Sequence, residues 1–285
     1  MSTTSEGKWD WNISAKTSFW SWGIDEIWSY RHLLFSLVRR DFLLNYQQTI
    51  LGPLWILFQP LLTLVTYVLV FGKLVRLDIG NVPPTLFYFS GIVLWNFFSD
   101  SFGGTSNTFR DNAHIFSKVY FPRFIMPVSV ISTHFLRFVV QLLLFIFLIA
   151  YYVLFRGFAV SYNWWLLAFP FSIIFIGIIG LGLGLLFSVL TAKYRDIGNL
   201  VGVAIRLLMF VTPVIYPLAT VPERVRWIVQ INPLTPLFEL FRLSLLGEGI
   251  VSVSQLLYSV LFMVVVFFGA ILVFNKQGDK LIDVV

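Results

Sequence analysis

The sequence predicts an all-α integral membrane protein. It should have six transmembrane helices, an N-terminal amphipathic interface helix, and two short re-entrant helices between spans five and six. Three observations predict this. The 285 residues are 58% hydrophobic and only 12% charged, against about 25% charged in soluble domains. Apolar stretches of spanning length recur along the chain. Most lysines and arginines lie outside or at the ends of those stretches, with Arg137 and Arg206 inside them.

The elements follow in chain order. Residues 1–24 form a polar, Trp-rich extension (Trp9, Trp11, Trp20, Trp22) that lacks the order of a cleaved signal peptide. A membrane domain is expected over 25–285. In 25–48, Ile27, Tyr30, Leu34, Leu37, Val38 and Phe42 recur at helical spacing with Arg31, Arg39 and Arg40 among them. That pattern predicts a helix lying in the membrane interface. About 20 apolar residues cross a ~30 Å hydrocarbon core, which predicts spans over residues 54–74, 85–102, 126–155, 164–190, 199–216 and 256–274. The third exceeds the bilayer's need and must tilt or protrude. Gly180 and Gly184 in the fourth form a Gly-x-x-x-Gly pair suited to close helix packing. Between spans five and six, residues 221–249 are too polar to cross readily and too apolar for a free loop. Proline disfavours helix in the residue before it, so Asn232-Pro233 predicts a break between two short helices. These either dip into the outer leaflet or form an extracellular hairpin.

Charge gives the orientation. With both termini inside, the inner segments hold twelve basic residues (Lys8, Lys16, Arg31, Arg39, Arg40, Arg110, Lys118, Arg123, Lys193, Arg195, Lys276 and Lys280). The outer loops hold six (Lys73, Arg76, Arg156, Arg224, Arg226 and Arg242). The positive-inside rule then predicts cytoplasmic N- and C-termini. Basic residues scattered at span ends read as topology, so no nucleic-acid partner is expected.

Several chemistries are excluded or disfavoured. No cysteine is present, which removes disulfides, thiol nucleophiles and cysteine metal sites. Three histidines without metal-ligand spacing make a metal site improbable. No phosphate-binding Gly-x-x-x-x-Gly-Lys-Ser/Thr loop occurs, and no catalytic Gly-x-Ser-x-Gly elbow. No catalytic residue is assigned. The spans are nearly free of acidic residues, with Asp100 at the end of the second and Asp196 in a short loop. Ion-coupled carriers usually place carboxylates inside their spans. The energy source expected is therefore a separate ATPase.

Four polar features sit on this frame. In the loop after span two, Arg110, Asp111, His114 and Lys118 recur at near-helical spacing, which fits either a helix presented to a partner or a solvated loop carrying topogenic charge. Lys193, Tyr194, Arg195 and Asp196 form a second charged turn, equally open between partner contact and ordinary loop. In span three, His134, Arg137 and Gln141 share one helical face, toward either a conduit or neighbouring helices. Arg206 in span five poses the same question. Aromatic rings offer sliding contact to sugar CH faces. Tyr67, Phe71, Phe87, Tyr88, Phe89, Trp95, Phe97 and Phe98 are candidates for such a path, or else packing and interface anchors.

Five segments in order carry a resemblance: RDFLLNYQQTILGPLWILFQP (40–60), KVYFPRFIMPVSVI (118–131), AKYRDIGNL (192–200), TPVIYP (212–217) and NPLTPLFELFR (232–242). Together they resemble the permease subunits of ABC-2 type exporters of O-antigen and teichoic-acid polysaccharides. The resemblance implies a non-enzymatic homodimer with two copies of a nucleotide-binding ATPase subunit, which binds the ATP and magnesium. It implies a lipid-linked polysaccharide, carried on undecaprenyl, crossing the bacterial inner membrane through a channel at the dimer interface. By position, Arg110, Asp111, His114 and Lys118, with Tyr194, Arg195 and Asp196, fall to the ATPase contacts. Arg39 and Arg40 fall near the substrate entrance, where arginine suits a pyrophosphate; positive-inside anchoring is their other reading. Asn232, Pro233 and Pro236 fall to an outer gate. Two alternatives remain at this point: an ABC-2 exporter of a small lipid or drug, and an integral-membrane transferase acting on a lipid-linked sugar.

Overall fold

The computed structural model describes residues 28–116, 121–160 and 164–281. The 1–24 extension therefore lies outside the described residues, as do Ile27 and Lys118. Every regular element among the described residues is helical.

Helix α1 (Arg31–Tyr46) precedes a turn in which Gly52 has φ +51°. Pro53 then lies in the first turn of a short 3-10 segment (Gly52–Leu54), where a missing N–H has no helical partner to lose. The chain continues as α2 (Trp55–Tyr67) and ends in a π-helical segment (Val68–Leu74). Helices α3 (Pro84–Ser106), α4 (Thr108–Asp111) and α5 (Ala113–Phe116) follow. Next come α6 (Ile125–Arg156) and α7 (Phe169–Lys193), with a 3-10 turn (Trp164–Ala168) between them. Helix α8 (Arg195–Val211) is followed by α9 (Glu223–Ile231), α10 (Thr235–Leu246) and α11 (Val253–Leu281).

Among the described residues, four helical stretches are long and apolar enough to cross a membrane: Gly52–Leu74, Ile125–Arg156, Trp164–Lys193 and Val253–Lys276. They match predicted spans one, three, four and six. The other two predicted spans are helical but fall outside that set, for physical reasons. Helix α3 carries serine, asparagine, aspartate and glycine among its apolar residues, which lowers its mean hydropathy; it is also buried on every side from Leu86 to Trp95. Helix α8 has 17 residues and stops at Val211, short of the predicted end at Tyr216, because Thr212 turns extended ahead of Pro213.

Helix α3 is the axis of the bundle, packed by α7, α6, α2, α8 and α10. The glycines of α7 explain how closely α7 approaches it. A methyl group on Gly180 would lie 3.0 Å from Ser101 Cβ, and one on Gly184 would lie 2.8 Å from Thr105 Cγ2. Gly182 points the other way, where a methyl group would stand 3.0 Å from Val266 of α11. The Gly-x-x-x-Gly pair is thus a packing feature between α7 and α3.

Helix α1 uses the predicted apolar face, though against protein. Leu37 is buried with Phe121, Ile125 and Met126 at the start of α6, and Tyr30, Leu33 and Leu34 pack onto that cluster. Phe35, Leu43 and Leu44 remain exposed.

Candidate functional site

The two predicted ATPase-contact segments are far apart in sequence and meet at one end of the bundle. Helix α3 runs almost directly into α4, which bears Arg110 and Asp111; both are exposed and paired, with Arg110 Nε donating to Asp111 Oδ1 at 3.0 Å. A methyl group on Gly198 of α8 would lie 2.7 Å from Arg110 Nη1, so the guanidinium rests on the first turn of α8. That turn carries Arg195 and Asp196, exposed like Tyr194. The turn itself is tighter than expected: α7 continues to Lys193 and α8 begins at Arg195, leaving Tyr194 alone in extended conformation. Thr191 Oγ1 donates to the Ser106 carbonyl and so ties the end of α7 to the end of α3. A single helix over 110–118 is not what forms. Asn112 interrupts it into the two turns α4 and α5. His114 lies on α5, and its side chain and Lys118 lie outside the described residues.

Phe109 anchors this end. It is buried among Leu181, Leu185, Val189, Ala270 and Phe274, with its ring 5.4 Å from Phe274. Phe109 therefore packs α4 against α7 and α11 together.

The interface helix joins the same end. Arg40 donates through Nη2 to Asp41 Oδ1 at 2.6 Å and to Asn112 Oδ1 at 3.3 Å. Arg39 is exposed. The two arginines of the predicted substrate entrance thus differ: Arg40 is held against the α4–α5 junction, and Arg39 is open. Farther along, Arg137 sits over the Tyr46 ring at 5.5 Å. Burial raises the Tyr46 phenol above its usual value; Arg137 lowers it and Asp100 raises it further.

Gln141 has a more specific task. Pro60 lacks an N–H and leaves the Ile56 carbonyl without its helical donor. Gln141 Nε2 donates to that carbonyl at 3.2 Å, and its Oε1 lies 3.5 Å from Asn96 Nδ2. Of the polar face on span three, Gln141 and Arg137 therefore serve contacts between helices within the protomer.

The aromatic path candidates divide. Phe87, Tyr88, Phe89, Trp95, Phe97 and Phe98 are core residues of the protomer, each at most 7% exposed. They project from α3 into the helices packed around it, so they present no wall to an intermolecular channel in this conformation. Tyr67 and Phe71 are half-buried. Phe71 helps wall an apolar cleft of about 480 Å³ with Phe210, Ile215, Tyr216, Val221 and Val229.

At the opposite end, the break at Asn232-Pro233 is where the sequence places it. Asn232 Oδ1 accepts from Leu234 N at 3.0 Å, and its Nδ2 donates to Thr212 Oγ1 at 2.7 Å. The Pro233 carbonyl accepts from Ser259 Oγ at 2.7 Å. Pro236 opens α10 in its first turn and is buried. Helix α10 is buried along nearly its whole length, and α9 is largely exposed.

The centre of this end is a residue that charge counting assigned to a loop. Arg242 is 2% exposed. It donates through Nη1 to the Pro213 carbonyl at 2.6 Å, through Nη2 to the Val214 carbonyl at 2.7 Å, and through Nε to Ser90 Oγ at 3.2 Å. Its guanidinium covers the Phe87 ring at 4.0 Å and lies 3.6 Å from Glu239 Oε1. Glu239 in turn accepts from Ile250 N at 2.9 Å. One side chain thus clasps α10, α3 and the 213–214 turn. The i, i+3 spacing of Glu239 and Arg242 in an otherwise apolar helix was the available signal.

Among the described residues, no group of histidine and carboxylate side chains could hold a metal ion.

Known proteins resemble the chain over most of its length. The chain is 28% identical over 259 residues to the O-antigen export system permease protein RfbA of Myxococcus xanthus, covering 90% of this chain and 96% of the relative. It is 31% identical over 205 residues to a protein of the same name in Klebsiella pneumoniae, covering 71% and 75%. The polysialic acid transport protein KpsM of Escherichia coli is 20% identical over 251 residues, covering 87% and 94%. The ABC-2 type transporter family matches residues 32–246, from α1 to the end of α10, and so takes in both the converging charged turns and the Arg242 clasp. The chain belongs to the ABC-2 type transporter family.

Proposed function

We propose that this chain is the membrane subunit of an ATP-driven exporter that moves an undecaprenyl-linked polysaccharide across the bacterial inner membrane. The observation that carries the reading is the convergence of Arg110 on Gly198: two charged turns distant in sequence form one exposed platform, as a docking site for a separate ATPase requires. The similarity to O-antigen permeases over most of the chain supports the polysaccharide cargo over a small lipid or drug. A transferase would need catalytic side chains converging at one membrane face. The exposed Asp111 is instead paired with Arg110 on the platform.

In this reading two copies of the chain act with two ATPase subunits, which bind ATP and magnesium. Helices α3 and α8 serve as the second and fifth of six spans, and 25–285 is one permease domain. The Arg110 end and both termini face the cytoplasm, in line with the distribution of basic residues. His114 and Lys118 belong to the ATPase platform. Arg39 meets the pyrophosphate of the substrate; its exposure beside the clamped Arg40 supports this role. Helices α9 and α10 dip into the outer leaflet and gate the exit about Asn232, Pro233 and Pro236. Buried polar backbone at that depth needs protein cover, and the buried α10 supports the assignment. Tyr67 and Phe71 remain as aromatic contacts for the polymer.

Deleting the gene tests the reading. Surface polysaccharide should disappear while lipid-linked polymer accumulates inside the cell. Unchanged surface polysaccharide would overturn it.

A further inference from the structure

The Gly52–Leu74 stretch and α8 begin at the same end of the molecule, since Arg40 before the first reaches Asn112 and Arg110 rests on Gly198 of the second. They run side by side: Tyr67 OH donates to Met209 Sδ at 3.8 Å. Both helices rise about 1.5 Å per residue, so Tyr67 level with Met209 sets Thr63 and Thr66 near the height of Arg206.

Gln59, Thr63 and Thr66 follow at i, i+4 and i+7 on one face of the first helix. Gln59 and Thr66 are exposed and Thr63 is half-buried. At the same height α8 exposes Arg206. Its Nε donates to the Gly202 carbonyl one turn back at 3.2 Å, and among the described residues no carboxylate pairs with it. The opposite side of α8, with Val201 and Ile205, is buried in the bundle. Arg206 lies about 16 Å along the helix from Arg195. A guanidinium at such depth is strongly disfavoured against lipid tails and faces a cavity or partner instead.

We propose that this polar strip forms part of the conduit wall, and that Arg206 is an anion contact within it. The strip would take a hydroxyl-rich polymer through Gln59, Thr63 and Thr66, and a carboxylate or phosphate group of the cargo through Arg206. The inference rests on the polysaccharide-export reading and adds to it where the cargo's charge is met.

The absence of cysteine from the sequence makes a direct test possible. Single Thr63→Cys and Thr66→Cys substitutions, in the full chain assembled in membranes with its ATPase, are labelled with anionic and cationic water-soluble methanethiosulfonates. Leu143→Cys, on the exposed apolar side of α6, is the control. Both strip positions should label faster than the control, with the anionic reagent favoured. Adding Arg206→Glu should shift the anionic-to-cationic rate ratio about tenfold toward the cation. Labelling no faster than the control, or a ratio indifferent to Arg206→Glu, overturns the inference. Export is measured on the same membranes. A wild type that exports while the ratio stays flat defeats this inference alone; a wild type that exports nothing while the ratio shifts defeats the export reading alone. Arg206→Gln then separates the anion's source: slower export of acidic polymers only points to the polymer, and slowing of neutral polymers as well points to the lipid-linked phosphate.

Discussion

Arg242 and Gln141 each answer a backbone problem created elsewhere in the chain. Arg242 satisfies the carbonyls of Pro213 and Val214, and Gln141 satisfies the carbonyl that Pro60 leaves open at Ile56. Arg242→Met should therefore lower stability by about 3–5 kcal/mol, because Glu239 is left as an uncompensated buried charge. A lower melting midpoint in detergent would show it, and Glu239→Gln in the same chain should recover part of the loss. Gln141→Leu should cost about 1–3 kcal/mol through the orphaned carbonyl. In a Pro60→Ala background, where residue 60 regains its own N–H, the same change should cost less, read as the difference between melting midpoints. At this scale the sequence was only partly legible. The His134, Arg137, Gln141 face was visible, whereas counting charge put Arg242 in an outer loop and passed over its i, i+3 spacing from Glu239. Their partners come from positions distant in the chain, as with Arg242 on Ser90 and Asn232 on Thr212, and no local pattern encodes such a pairing.

Among the elements, α3 and α7 determine how the bundle packs. Their contact depends on Gly180 and Gly184 lying against Ser101 and Thr105. Gly184→Leu should overpack that seam and destabilise the protein by about 1–3 kcal/mol. Gly269 has open space around it, so Gly269→Ala should change stability little; comparing it with Gly184→Ala in one melting series isolates the seam. The long apolar runs and the Asn232-Pro233 break were legible, because hydropathy and proline act locally. The role of the rings on α3 was not. A run such as Phe87-Tyr88-Phe89 reads alike whether it lines a channel or fills a core, and only the helices on every side of α3 decide for the core. The single-residue turn at Tyr194 was likewise hidden, since a charged stretch marks a connection without giving its length.

Across the whole molecule, α3 connects the two ends. One end continues into Arg110 and Asp111, and the other is gripped by Arg242 through Ser90 and Phe87. That arrangement links the proposed ATPase platform through one helix to the turn at 213–214. Arg110→Glu should leave the exposed surface folded and the chain inserted, yet reduce both ATPase co-purification and export; normal levels of both would remove Arg110 from the coupling role. The most direct test of the central claim is ATP-dependent transport in vesicles. The chain is reconstituted with its partner ATPase and lipid-linked polysaccharide, and polymer protected inside inverted vesicles is measured. The account predicts protected polymer that requires ATP and is lost with Arg110→Glu. Protected polymer in equal amounts without ATP, or none with an active ATPase bound, would contradict it.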